Sequence, residues 1–213
     1  MSAVKREKYE KYWSRRVKAN TAWKKKFEGW IKDKSSRKVQ AAILDYLNVA
    51  TVLDVGCGLA YDYAFYKSLK LPIVYYGADI TPEFLDEVKD KYPKLAENDR
   101  IGRPRLYYCR GQELPIPDSS FDVVSCRHLL EHVPNPRLIV REMNRVSKKW
   151  VMITWFHLQK STRIDHIVKG ERRALFNNYY SRKSSRRMIE KIGLELVKQK
   201  RVRHEAVWLC RKG

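Results

Sequence analysis

The sequence has no apolar run near the roughly 20 residues that a membrane span requires. Its first residues, MSAVKREKYE, carry charge with no apolar stretch behind it, so a cleaved secretory signal is not expected either. Both absences point to a cytoplasmic protein. Cysteine is sparse: Cys57, Cys109, Cys126 and Cys210 form no C-x-x-C pair, and the five histidines show no metal-ligand spacing beside them. That argues against a zinc site and a disulfide framework, and leaves reduced thiols packed as small hydrophobes at strand ends. Internal repeats and low-complexity linkers are missing too. Acidic charge is also short, with 24 Asp+Glu against 45 Lys+Arg and a formal net charge of +21.

Apolar residues make up 44% of the 213 positions. That suits one globular domain with decorations, large enough to bury a core without disulfide or metal. The basic excess is gathered rather than spread. Residues 1–38 hold 14 Lys+Arg and 4 Asp+Glu, residues 39–155 hold 15 of each, and residues 156–213 hold 16 and 5. A neutral block between two basic flanks suits a conventional core whose added parts face a polyanion, either nucleic acid or an anionic membrane surface. An acidic protein partner would fit the same flanks, and lysines that only solubilise exposed helices are the plainer alternative.

Residues 5–33 read as two helices, with Tyr9, Tyr12, Trp13 and Val17 and then Trp23, Phe27 and Trp30 at helical spacing. A third helix is expected over 36–48, capped by Ser36, with Val39, Ile43, Leu44 and Leu47 on its buried side. From Thr51 short apolar runs alternate with helical stretches, the pattern of parallel strands joined by crossovers. Strands are expected at 51–55, 73–78, 105–109, 121–125 and 150–156, with helices near 60–70, 82–91 and 135–146. After a basic, aromatic segment comes a helix near 181–192. Two strands at 194–202 and 205–210 follow, made antiparallel by a tight turn at Arg203-His204.

The segment Val52-Leu53-Asp54-Val55-Gly56-Cys57-Gly58-Leu59-Ala60 reads as a buried strand running into a glycine turn and a helix. Glycines there let a ligand approach the backbone at the carboxyl end of the first strand, where open α/β sheets bind. A dinucleotide fingerprint would place a third glycine where Tyr61 stands, and a P-loop would need Gly-Lys-Ser/Thr. Pyrophosphate ligands are thereby disfavoured, and Asp54 beside the turn would repel them. Asp79 ends the second strand, 21 residues after Gly58. An acid at that distance accepts hydrogen bonds from both hydroxyls of an unphosphorylated ribose. Alone it would read as a helix cap, and the glycine turn upstream favours the ribose.

Three segments stand in this order: LDVGCG at 53–58, YGADITPEFLDEVK at 76–89 and GQELPIPDSSFDVVSCRHLLEHVPNP at 111–136. Together they resemble class I S-adenosylmethionine-dependent methyltransferases, in particular the branch of ubiquinone and menaquinone biosynthesis methyltransferases. The likeness covers residues 39–156 well and the rest in outline. It implies a Rossmann-like α/β fold, a seven-stranded and mostly parallel sheet with an antiparallel last strand. The methyltransferase domain would span 39–213, with 157–180 a variable substrate-side segment and 1–38 a basic aromatic helical extension. The implied cofactor is S-adenosyl-L-methionine. Asp54, Gly56, Cys57 and Gly58 would line its methionine end, with Cys126 and Arg127 near the sulfonium. Asp79 would hold the ribose, Ile80 would lie against the adenine, and Gly111 and Gln112 would sit at the adenine edge. Two positions depart from the family pattern. Ala60 stands where many members have a third glycine, and Arg110 stands where many have an adenine-binding Asp, a contact that would pass to Gln112 or Glu113.

Methyl transfer is an in-line displacement at an activated carbon, so positioning the nucleophile supplies much of the rate. A base is needed only where the nucleophile carries a proton that must leave. The candidates are His132 and His128, then His157 and Tyr180, each with a backbone-bonded structural role as the plainer reading. His166 beside Asp165 reads as an oriented surface pair. Tyr12, Trp13 and Arg16 are placed to close over the cofactor, unless the N-terminal aromatics simply pack on the domain. The basic flanks favour RNA or DNA as acceptor, with phosphates on the lysines and arginines and a base stacked on aromatics from 155–180. A small-molecule acceptor, as in the branch the sequence resembles, is the alternative. A binding module on a methyltransferase scaffold is a third, opposed by the intact Asp54, Gly56, Gly58 and Asp79.

Overall fold

Central strands buried on both faces organise the chain into three layers. A computed structural model describes residues 12–14, 35–156, 158, 166–167 and 177–213. Apart from helical Tyr12–Ser14, the two N-terminal helices expected over 5–33 lie outside the described residues, as do Arg16 and His157. The elements are α1 (Ser35–Leu47), β1 (Thr51–Val55), α2 (Tyr61–Ser68), β2 (Val74–Asp79), α3 (Pro82–Lys91), β3 (Leu106–Tyr108), β4 (Phe121–Arg127), α4 (Pro136–Val146) and β5 (Ser147–Phe156). A two-residue ribbon of β6 (His166–Ile167) and β7 (Asn177–Asn178) follows, and then α5 (Arg182–Glu190), β8 (Leu194–Val202) and β9 (Glu205–Lys212). Short 3-10 turns cover Pro93–Leu95 and Leu130–His132.

The seven-stranded sheet has the order β3-β2-β1-β4-β5-β9-β8. Strands β1 to β5 pair in parallel, and β9 runs antiparallel to both β5 and β8. The odd strand is therefore the last in sequence and next to last in space, held by the hairpin whose turn residue Arg203 has φ 51°. Both sheet faces are covered, so the strands read as continuous apolar runs. Val52, Tyr75, Val123, Met152 and Val207 face α1, α2 and α3 through Leu44, Tyr66 and Leu85. Leu53, Tyr76, Val124, Ile153 and Trp208 face the other way, against Ile139, Met143 and Ile189 of α4 and α5. Full burial of each such side chain contributes about 1.5–3 kcal/mol. Among the described residues no helix is long and apolar enough to cross a membrane.

Most boundaries shift by a residue or more from the sequence reading, and two of the shifts have a visible cause. Ser36 does not cap α1: the helix begins at Ser35, and the Ser36 side chain is buried inside its first turn. Strand β5 begins at Ser147 rather than Trp150, because Ser147 pairs with Phe121 across an irregularity in β4 that the polar Ser147-Lys148-Lys149 run does not announce. The expected helices over 60–70, 135–146 and 181–192 are present, shortened at their ends.

Strand order reverses between β1 and its two neighbours, β2 and β4. Open α/β sheets leave a crevice at the carboxyl ends of the strands at such a point.

Candidate cofactor and acceptor site

The crevice begins where β1 runs out. Gly56 and Cys57 both donate their N–H to the Ala78 carbonyl, at 2.7 and 3.1 Å, which folds the chain over the end of β2. Gly56 has φ 77°, and a Cβ there would lie 2.8 Å from Leu129 Cδ1. Gly58 has φ 51° but no atom within 4 Å of the position a Cβ would take, so its backbone faces open space. Its N–H donates to Asp79 Oδ2 at 2.8 Å, while Asp79 Oδ1 accepts from the Thr81 N–H at 2.9 Å. Burial raises the Asp79 carboxyl above its ordinary range against the pull of these bonds. The acid thus ties the glycine turn to the start of α3 while lining the cavity.

That cavity has a volume of about 470 Å³, within the range of small-molecule and cofactor sites. Of the residues singled out in the sequence, Asp54, Gly56, Cys57, Gly58, Asp79 and Ile80 line one wall, and Gly111, Gln112, Arg127, His128 and His132 line the other parts. Cys126 and Glu113 do not line it. Cys126 is fully buried in the core beside α4, because successive strand residues point to opposite faces and only Arg127 turns to the cavity. Glu113 is exposed and pairs through its backbone with Arg110, whose carbonyl accepts the Glu113 N–H at 3.0 Å. Of the two substitutes for the missing adenine-binding Asp, only Gln112 reaches the wall. Ala60, in the place of the family's third glycine, holds the left-handed conformation at the start of α2, with φ 52° and ψ 40°.

Charge concentrates at one end. Asp62, in the first turn of α2, meets Arg37 Nε of α1 at 2.5 Å and Arg127 Nε of β4 at 3.3 Å. Burial works against the Asp62 charge, and the two guanidinium groups overcome it, holding the carboxyl below its usual range. Asp54 beside it goes the other way: burial first, then the Asp62 charge, raise it well above the ordinary value although Tyr75 Oη donates to it at 2.8 Å. Glu205, the first residue of β9, lies 3.6 Å from Arg127 Nη1 and forms a closer pair with His128 Nε2. Burial opposes the Glu205 charge too, and the bond from His128 prevails, keeping its carboxyl below the usual range. Sequence reasoning missed Arg37, Asp62 and Glu205. For Glu205 the expected hairpin was a signal, since a turn at 203–204 returns it to the end of the sheet where β5 stops.

The remaining candidates have distinct settings. His132 ends the 3-10 turn Leu130–His132 and packs edge-on against Trp13, ring centroids 5.6 Å apart. Trp13 lines the cavity, and Ser14 Oγ donates to Glu83 Oε2 of α3 at 2.6 Å, so this stretch does lie over the crevice. Tyr180 is buried away from it, donating to the Leu130 carbonyl at 2.8 Å beneath Trp155. Burial pushes its hydroxyl up, out of the range of a base at neutral pH. The four cysteines are free thiols, and burial pushes Cys109 and Cys210 up to about 12.

Residues 53–152 match the family model described as a methyltransferase domain. That segment, just under half of the chain, is a methyltransferase domain, and it resembles the class I S-adenosylmethionine-dependent enzymes. It is 24% identical over 164 residues to a sterol 4-C-methyltransferase of Caenorhabditis elegans, covering 73% of this chain and 46% of that protein. Over 97 residues it is 31% identical to a demethylmenaquinone methyltransferase of Geobacillus kaustophilus, covering 45% of this chain and 40% of that one. The chain thus spans about half the length, or less, of these curated relatives, and the menaquinone branch is one likeness among several. In fold it matches the 1,6-didemethyltoxoflavin-N1-methyltransferase of Burkholderia thailandensis, solved with 1,6-didemethyltoxoflavin and S-adenosylhomocysteine. That likeness has a TM-score of 0.66 at 18% identity, over 90% of this chain and 84% of that one.

Proposed function

We propose that the protein transfers a methyl group from S-adenosylmethionine to a nucleic acid strand. The methyltransferase wall fits that cofactor on its own geometry. The open space at Gly58 admits a ligand against the backbone, and the Asp79 carboxylate, oriented by the Gly58 and Thr81 N–H groups, lines the same cavity as an acceptor for ribose hydroxyls. Ile80 and Phe84 offer apolar surface to an adenine, and Gln112 offers an amide to its edge. Arg127 stands at the charged end, where it would meet the methionine carboxylate. Bound there, the cofactor supplies a methyl group already activated by positive sulfur.

The observation that carries the acceptor class is the β8–β9 hairpin. Lys198, Lys200, Arg201 and Arg203 are exposed along β8 and its turn, and the next two residues, His204 and Glu205, line the cavity. A cationic edge therefore leads to the crevice, where Trp13, Tyr61 and Phe156 give flat surfaces on which a base can stack. The α5 face adds exposed Arg182, Lys183, Arg186 and Arg187. A small-molecule acceptor is the second reading, favoured by the sterol, demethylmenaquinone and didemethyltoxoflavin in the names of the similar enzymes.

The test is to incubate the full chain with methyl-labelled S-adenosylmethionine and crude cell extract, then fractionate. Label in nuclease-sensitive material supports the nucleic-acid reading. Label confined to solvent-extractable molecules overturns it in favour of the second.

A further inference from the structure

We propose that His128 is the general base of this site, with Glu205 as the residue that positions its ring and stabilises its charged form. The inference rests on the methyl-transfer reading above, not on which acceptor is used. His128 and Glu205 come from the end of β4 and the start of β9, with β5 between them, and meet at the cavity wall. His128 takes φ 53°, a left-handed conformation that a non-glycine residue adopts at a cost and that recurs at functional sites. The Phe156 ring lies 4.9 Å from the imidazole. The histidine side chain keeps 32% of its surface exposed, so the ring is held in place without being sealed off.

The pairing favours one tautomer. Nε2 lies in close contact with the Glu205 carboxylate, so the neutral ring is stabilised with its hydrogen on Nε2 and the lone pair on Nδ1. Burial lowers the proton affinity of His128 against the pull of Glu205, leaving the ring neutral at pH 7. The charged groups that face it are Glu205 of β9 and Asp62 of α2, which favour the imidazolium, and Arg127 of β4, which opposes it. An added proton is therefore stabilised by two carboxylates and opposed by one guanidinium. His132, by contrast, meets the Trp13 ring edge-on.

The bound cofactor supplies a methyl carbon whose bond to sulfur breaks with its electron pair left on sulfur. On the protein side the acceptor's X–H bond gives its proton to Nδ1 and its electron pair to the new X–CH3 bond. The imidazolium beside Glu205 then loses the proton to water. A base this weak suits an acidic X–H: a thiol, a phenol-like hydroxyl or the lactam N–H of a nucleobase, rather than an alkyl alcohol.

The experiment is nitrogen NMR of the histidine rings in the full chain, with His128 assigned through His128→Asn, a residue that also tolerates the left-handed backbone. The expected result is a neutral Nε2–H ring at pH 7, with Glu205→Gln lowering its pKa by about 1 unit or more. A ring that is charged at pH 7, protonated on Nδ1 or indifferent to Glu205→Gln overturns the proposal. In the labelling assay, with whichever fraction takes up methyl, His128→Asn should lower kcat about 100-fold or more with little change in KM and remove the acid limb of the pH profile. An unchanged kcat and profile also overturn it. If label enters only extractable molecules, the nucleic-acid reading fails and the dyad stands. If no fraction is labelled, methyl transfer fails and the ring titration alone decides the dyad.

Discussion

Ala60 shows what one residue costs when its backbone conformation is dictated from outside. It is fully buried at the start of α2, in a left-handed conformation that costs an L-residue about 1–2 kcal/mol. Ala60→Gly removes that strain and returns part of it as unfolded-chain entropy, so urea unfolding should show a gain of up to about 1 kcal/mol. Asp79 accepts from the Gly58 and Thr81 N–H groups, and Asp79→Asn leaves one of these donors facing an amide N–H2. Stability should fall by about 1–3 kcal/mol. Calorimetry should show S-adenosylmethionine binding weakened roughly 10- to 100-fold as charge-assisted bonds to the ribose disappear. Glu131 is buried with Oε1 accepting the Phe156 N–H at 2.7 Å and Oε2 without a hydrogen bond, and burial pushes its carboxyl up to about 7. Its folded pKa lies above the unfolded value, so the folded state binds the extra proton and stability falls as pH rises from about 4.5 to 7. Glu131→Gln should flatten that slope and leave the protein up to about 3 kcal/mol more stable at pH 8, measured by urea unfolding at pH 5 and pH 8.

At the scale of elements, the charged end of the site is also what fastens α1 to the sheet. Arg37 enters from α1, Asp62 from α2 and Arg127 from β4, with Arg37 and Asp62 almost fully buried. Asp62→Asn would leave two guanidinium groups without their shared anion, so a loss of about 3–5 kcal/mol is expected in denaturant titration. The depressed Asp62 carboxyl adds stability above its unfolded value near 4 that is lost as pH falls through the lower folded value. A second element-level device fixes the wall that carries His132. Asn178 of β7 donates to the Leu130 and Val133 carbonyls at 3.2 and 2.7 Å. Buried parallel strands were legible because each is a continuous apolar run between turn residues, and Thr51–Val55 and Val74–Asp79 match the expectation closely. The start of β5 was not legible, since Lys148 and Lys149 are exposed and fall in the register shift between the Ser147–Phe121 and Trp150–Val123 pairs.

For the whole molecule the question is where the net charge of +21 acts. The N-terminal basic segment lies largely outside the described residues, whereas the C-terminal excess is seen on β8 and α5. Replacing Lys200, Arg201 and Arg203 together by Ala should weaken single-stranded RNA binding across sequences. It should also make log affinity less steep against log salt by roughly 2, about 0.7 for each phosphate that these side chains no longer neutralise. An unchanged slope in fluorescence anisotropy would place the RNA elsewhere or remove it as a partner.

The sequence by itself determined the alternating strands and helices, the glycine turn with Asp79 beyond it, and the family of the domain. Those features are local: strand burial, turn chemistry and helical spacing are written in neighbouring residues. The tertiary structure alone decided which side chains share the crevice. It sent Cys126 into the core and Arg127 to the cavity through strand alternation. It gathered Arg37, Asp62, His128 and Glu205 from four separate elements. Their meeting follows from strand order and hairpin closure, which bring together residues as far apart in sequence as 37 and 205.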